Sequence, residues 1–266
     1  EISACLVGSE MCIRDRSSEY DSSFALQIFA AREAVFKILA KESLSIHEKL
    51  IVILDMGSKI QQCINTDEYD NIKSVVNDYL KEGIAHTLDE TRNLSDSGQF
   101  EDISLQQGIR QILYPYEEME VLNPEWEVIL KDIIDSLFEQ MSDEEYNILN
   151  EEFGTYMVSR AYEYRQLLEY LVFRYFAKSI YDYDFLGKCQ MLVTNFFVIR
   201  QMDIIRWLDN HREYSFKDRM DVVHIFSRQV EYSEDNIENL YEDFIFDDIF
   251  KTDSLIAILW IDSENI

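Results

Sequence analysis

Ser45-Ile46-His47-Glu48-Lys49-Leu50-Ile51-Val52-Ile53-Leu54-Asp55-Met56-Gly57-Ser58-Lys59 is the stretch on which the fold turns. Its middle, Ile51 to Ser58, has the look of the strand and glycine turn that open nucleotide-binding folds. Such a loop needs several glycines, for tight turning and for close approach of backbone to ligand. Here Ser58-Lys59-Ile60 follows Gly57 and no second glycine is near. Ser45 and Glu48 instead make a capping box, in which the serine oxygen accepts an orphan backbone N–H and the glutamate reaches back to another. The segment therefore predicts a helix from Ile46 to about Ile64, with Gly57 inside it.

Helical periodicity continues on both sides. Phe24, Ile28, Phe29, Val35, Phe36 and Leu39 recur every three to four positions, with Ser22 or Ser23 as N-cap. Thr66 or Asp67 opens a third helix carrying Tyr69, Ile72, Val75, Val76, Tyr79 and Leu80, which should end near Gly83. The polar, aperiodic run from Arg92 to Ser104 predicts a flexible connection and the best domain boundary.

Beyond it, Asn123-Pro124 starts a helix, because proline at the first helical position gives up an N–H that had no partner. A second capping box at Ser142 and Glu145 opens the next, toward Gly154. A helix through Leu167, Leu171, Tyr175 and Phe176 precedes one from about Tyr183 to Asn210 that is apolar on several sides, as befits a helix enclosed by neighbours. Ser215 and Ser233 cap two later helices, one with Met220, Val223, Phe226 and Val230 inward, the other with Ile237, Leu240, Tyr241 and Phe244 inward. The expected fold is all-α, a multi-helix bundle of helical hairpins around a long central helix at about 183–210. Its organisation is an N-terminal helical subdomain at 17–91, a flexible connection at 92–104 and a C-terminal helical domain at 105–266.

Composition agrees. Two prolines and seven glycines in 266 residues leave few breakers for strands and hairpins, and 47% hydrophobic content can supply a core. A formal charge of -28 with no basic block disfavours nucleic acid and anionic membrane surfaces, which draw affinity from clustered lysine and arginine. The longest apolar run, Leu255 to Ile261, is far short of the roughly 20 residues that span a bilayer, so it must be buried within the fold. Cysteines at 5, 12, 63 and 189 suggest neither a metal pair nor a disulfide framework, which suits a reducing, cytoplasmic location. Glu1 to Arg16 lacks a starting methionine and reads as adapter-derived, non-native sequence, so the natural chain is expected to begin upstream.

No catalytic motif stands out. His47, His86, His211 and His224 are scattered, with no pair at the i, i+4 spacing that puts two imidazoles on one helix face. Cys189 sits among Leu186, Leu192 and Val193 and reads as core filling, so no metal site or nucleophile is assigned. More informative is a polar lining on apolar helices: Arg174 and Lys178 on one, Arg200, Asp203 and Arg206 on the central one, and His224, Arg228 and Glu231 on a third. Spacings of three and four keep each set on one face, so the sets meet either as a buried ion-pair network or as the lining of a ligand pocket. Arg174, Arg200, Asp203, His224 and Arg228 form the candidate polar pocket.

These same helices carry a resemblance. LVFRYFAKSIYDYDFLGKCQMLVTNFFVIRQMDIIRWL (Leu171 to Leu208) and SRQVEYSEDNIENLYEDF (Ser227 to Phe244) resemble flagellin lysine-N-methylases, more weakly from Phe24 to Leu80. The resemblance implies a bacterial, flagellum-related enzyme that methylates flagellin lysines with S-adenosylmethionine as donor. It also implies an N-terminal cysteine-rich cluster holding a metal or iron–sulfur centre, which no part of this chain matches. The chain would then be the family's helical C-terminal portion, not active alone. Tyr175, Asp203, Trp207 and Glu231 are of the chemical types that steer and desolvate a lysine for methyl transfer. The alternative is an all-α interaction module without catalysis.

Overall fold

The computed structural model describes residues 22–96 and 103–264, and among them every regular element is helical. In chain order these are α1 (Ser22–Leu39), α2 (Ile46–Asn65), α3 (Ile72–Asp78), α4 (Ile84–Asp96), α5 (Leu105–Glu117), α6 (Pro124–Ile133), α7 (Asp143–Met157), α8 (Ala161–Tyr175), α9 (Ser179–Asp182), α10 (Phe185–Asp209), α11 (Phe216–Phe226), α12 (Glu234–Phe246) and α13 (Thr252–Glu264). The non-native extension expected at 1–16 lies outside the described residues. So does the middle of the expected 92–104 connection.

The deciding stretch is helical. Ser45 Oγ accepts the Glu48 N–H at 3.1 Å and Glu48 accepts the Ser45 N–H at 2.8 Å, so the capping box starts α2 as its residues require. Leu50 to Leu54 are all fully buried, which no amphipathic surface helix allows. Gly57 faces α10, where an added Cβ would lie 2.5 Å from Cys189 Sγ. The glycine serves close packing of two helices and not a cofactor turn.

That contact belongs to the centre of the molecule. Every residue of α10 from Gly187 to Ile205 is buried, and α2, α5, α6, α8, α11, α12 and α13 pack around it. At 25 residues α10 is about 37 Å long, the axis of one hydrophobic core that runs from Phe24 to Trp260. Asp184 caps it, its Oδ1 accepting the Gly187 N–H at 2.8 Å after Tyr183 turns the chain through a left-handed conformation at φ 57°. Leu255 to Trp260 of α13 are buried against α2, α4 and α5, which accounts for the apolar run. No helix among the described residues is long and apolar enough to cross a membrane.

Two details differ from expectation. Gly83 does not stop its helix: a π-helical turn, Tyr79–Gly83, joins α3 to α4, and Ile84 and Leu88 continue the face packed on the core. On α11 the expected inward face is rotated. Met220 is exposed, while Arg219, Val222, Ile225 and Phe226 are buried, because Arg219 finds its counter-charges inside. Val230 is still buried, since another π turn, Ser227–Glu231, inserts an extra residue and shifts the register.

Candidate functional site

The five candidate residues separate into four places. Asp203, buried in mid α10, accepts Arg219 Nη1 at 2.5 Å, the Tyr164 hydroxyl at 2.7 Å and the Tyr214 hydroxyl. Arg219 also donates to Glu163 at 3.1 Å and lies over the rings of Tyr164 and Tyr214. Burial pushes the Asp203 carboxyl up, and the guanidinium with the two hydroxyls partly offsets this. This group is a buried structural network, in which Arg219 Nη2 has no hydrogen-bond partner.

One turn earlier, Arg200 donates to the side chain and carbonyl of Asn150 on α7. Asn150 donates to Asp262 Oδ1 at 2.6 Å, and His47 Nε2 lies 2.7 Å from Asp262 Oδ2. Burial would raise the Asp262 carboxyl, but the charge of Arg200, then that of His47, and two hydrogen bonds hold it well below the usual carboxylate range. The network fastens α2, α7, α10 and α13 together. Phe196 stands edge-on to both His47 and Tyr164 and separates it from the Asp203 group.

Arg174 is half-exposed and pairs with Glu231 at 2.9 Å, which also accepts the hydroxyls of Tyr170 at 2.8 Å and Tyr175 at 3.2 Å. Trp207 is elsewhere, packed on Phe153 and Tyr156. Tyr175, Asp203, Trp207 and Glu231 therefore form no single lysine-binding group.

His224 and Arg228 line, with Arg206, a cleft of about 610 Å³ between α6, α10 and α11. Glu125, Asp132, Asp209 and Asp221 supply carboxylates to the same cleft. Ile129, Ile205 and Ile225, all buried, make its floor. Arg206 and Arg228 have neither a hydrogen bond nor an ion pair among the described residues, whereas Arg110, Arg160, Arg174, Arg212 and Arg219 are each salt-bridged.

The wall of this cleft is built from hydrogen bonds. Gln229, in the π turn beside Arg228, accepts the N–H groups of Leu122 at 2.9 Å and Asn123 at 3.2 Å and donates to the Glu120 carbonyl at 2.7 Å. Asn236 grips the same loop, accepting the Glu120 N–H at 3.0 Å. Asn123 is thereby held where its Oδ1 caps α6 by accepting the Glu125 N–H at 3.2 Å. Its Nδ2 is buried and without a partner, on a side chain only 7% exposed. A buried donor with no acceptor costs about 1–3 kcal/mol.

The family model of the FliB lysine N-methylase C-terminal domain matches residues 32–258. The chain belongs to this family. Comparison with curated proteins and comparison with solved structures each return no match. The match runs from within α1 to the middle of α13 and takes in the cleft and the Asp203 group, while Asp262 lies beyond it.

Two groups that the resemblance implies can be tested against this FliB-type domain. An iron–sulfur or metal centre does not fit: among the described residues no three His, Cys, Asp or Glu side chains could hold a metal ion, and burial pushes the Cys63 and Cys189 thiols up. S-adenosylmethionine does fit the chemistry of the cleft. Its carboxylate needs donors, which Arg206 and Arg228 offer; its ammonium needs acceptors, which Asp209 and Asp221 offer.

Arg219, Asn123, Gln229 and Asn236 were not legible as functional or organising residues in the sequence. Polar residues in helical stretches look like solvated surface, and only their burial shows otherwise. For Asn123 there was half a signal, since Asn-Pro marked it as a cap, which engages the oxygen and leaves the amide nitrogen to find a partner.

Proposed function

We propose that this chain is the helical portion of a flagellin lysine N-methylase, and that its α6/α10/α11 cleft is where a lysine side chain meets the methyl donor. What carries the reading is the cleft of a family-matched domain, with unpaired arginines and carboxylates around an aliphatic floor. S-adenosylmethionine, when bound, supplies a methyl group carried on a sulfonium. The chain's own part is positioning. Val128 and Ile129 line a path for the aliphatic stem of lysine, and the neighbouring carboxylates attract its ammonium and accept the proton that must leave before nitrogen is nucleophilic. An overall charge of -28 favours a basic side chain as guest.

Because the domain has no fitting metal ligands among its described residues, we propose further that transfer requires the family's cysteine-rich module. The experiment follows labelled methyl from S-adenosylmethionine to flagellin lysines, with this chain alone and with the chain joined to such a module. The expected outcome is transfer only in the joined form, lost in Glu125→Gln with Asp132→Asn. Transfer that ignores both substitutions would remove the cleft from the reaction.

A second reading, an all-α interaction module, is favoured by the buried networks at Asp203 and Asp262, which engage Asp203 and Arg200 with other side chains of the fold. It predicts stable binding of flagellin to this chain with no methyl transfer in either form.

A further inference from the structure

We infer that the α6/α10/α11 cleft holds the α-amino-acid end of its ligand, with Arg206 and Arg228 on the carboxylate and Asp209 and Asp221 on the ammonium. The observations are the unpaired state of both guanidiniums and their place in the same cleft as unpaired carboxylates. A planar guanidinium presents two parallel N–H groups that match a carboxylate. An ammonium one carbon away then falls to the aspartates, while the ligand's stem lies on Ile129, Ile205 and Ile225. A simple anion would satisfy the arginines and be repelled by four carboxylates. A simple cation would meet the reverse. A zwitterion satisfies both sets.

The inference rests on the preceding reading only for the ligand's identity. The same zwitterion is carried by the methionine end of the methyl donor and by a free amino acid. Isothermal titration of the full chain with S-adenosylhomocysteine, methionine, methionine methyl ester and adenosine separates the two. Expected are binding of S-adenosylhomocysteine, weaker binding of methionine, and none of the ester or adenosine. Arg206→Ala and Arg228→Ala should each weaken the binding about tenfold or more, as loss of a charge-assisted contact does, while thermal unfolding of both variants stays near that of the parent.

Methionine binding that depends on the arginines, with no binding of the homocysteine derivative, would keep this inference and discard the methyl-donor reading. Binding of S-adenosylhomocysteine that ignores both substitutions would do the opposite. Binding of the ester as tight as that of methionine, or no binding by any of the four, overturns the inference.

Discussion

Gly57 and Cys189 lie so close that a methyl group at position 57 would sit 2.5 Å from the cysteine sulfur. This one contact decides between two readings of Ile51 to Ser58, because a glycine used to bring α2 against α10 cannot also be the turn of a phosphate loop.

Gly57→Ala tests it. Overpacking costs about 1–3 kcal/mol, set against roughly 1 kcal/mol returned by the better helix propensity of alanine. The variant should be less stable in urea denaturation. Cys189→Ala in the same chain should recover part of the loss, giving a favourable coupling in the double-mutant cycle. Additive losses would mean the two helices are not in tight contact here.

Asp262→Asn tests the fastening of α13. Removing one partner from a buried charged group costs about 3–5 kcal/mol. Its pH dependence has a definite sign. The folded carboxyl is held below its unfolded value, about 3.9, so its stabilisation is complete above that pH and fades as pH falls below it. The melting-temperature gap between parent and variant should therefore be constant from pH 7 to 5 and narrow below about pH 4.

Arg219→Met should cost about 3–5 kcal/mol, since it strands Asp203 at zero exposure. Arg165→Met, removing a partly exposed contact with Glu169 at 3.9 Å, should cost under about 1 kcal/mol. Asp203 runs opposite to Asp262: its folded carboxyl is raised, so stability is greatest below the unfolded value of about 3.9 and is lost as pH rises through the folded one. Without Arg219 the carboxyl rises further, so the Arg219→Met deficit in chemical denaturation should be smaller near pH 4 than at pH 7.

Gln229→Leu should loosen the wall of the cleft. It leaves the Leu122 and Asn123 N–H groups and the Glu120 carbonyl without their partner, at about 1–3 kcal/mol. Amide hydrogen exchange at Leu122 and Asn123 should quicken while helix content is kept. Unchanged protection at those two amides would show that Asn236 alone holds the loop.

Much of the helical scaffold was legible. The capping boxes at Ser45 and Ser142, the proline start at Pro124 and the buried α10 stand where local chemistry put them. The site was less so. Arg174, Arg200 and Asp203 share with His224 and Arg228 a position on apolar helices, yet helical spacing only says that residues share a face. Which neighbouring helix that face meets sent the first three into separate paired groups and the last two to an open cleft. The rotated face of α11 has the same origin, because the pull of Asp203 and Glu163 on Arg219 is stronger than the small difference between burying Met220 and burying Val222.

By itself the sequence determined that these segments are helices, where most of them start, and that α10 is enclosed, since caps and apolar spacing act within a few residues along the chain. Tertiary structure alone decided which charges are paired and which stay open to a ligand. A charge's partner is chosen by distance in space, and His47 meets Asp262 across 215 positions of chain that no local pattern can bridge.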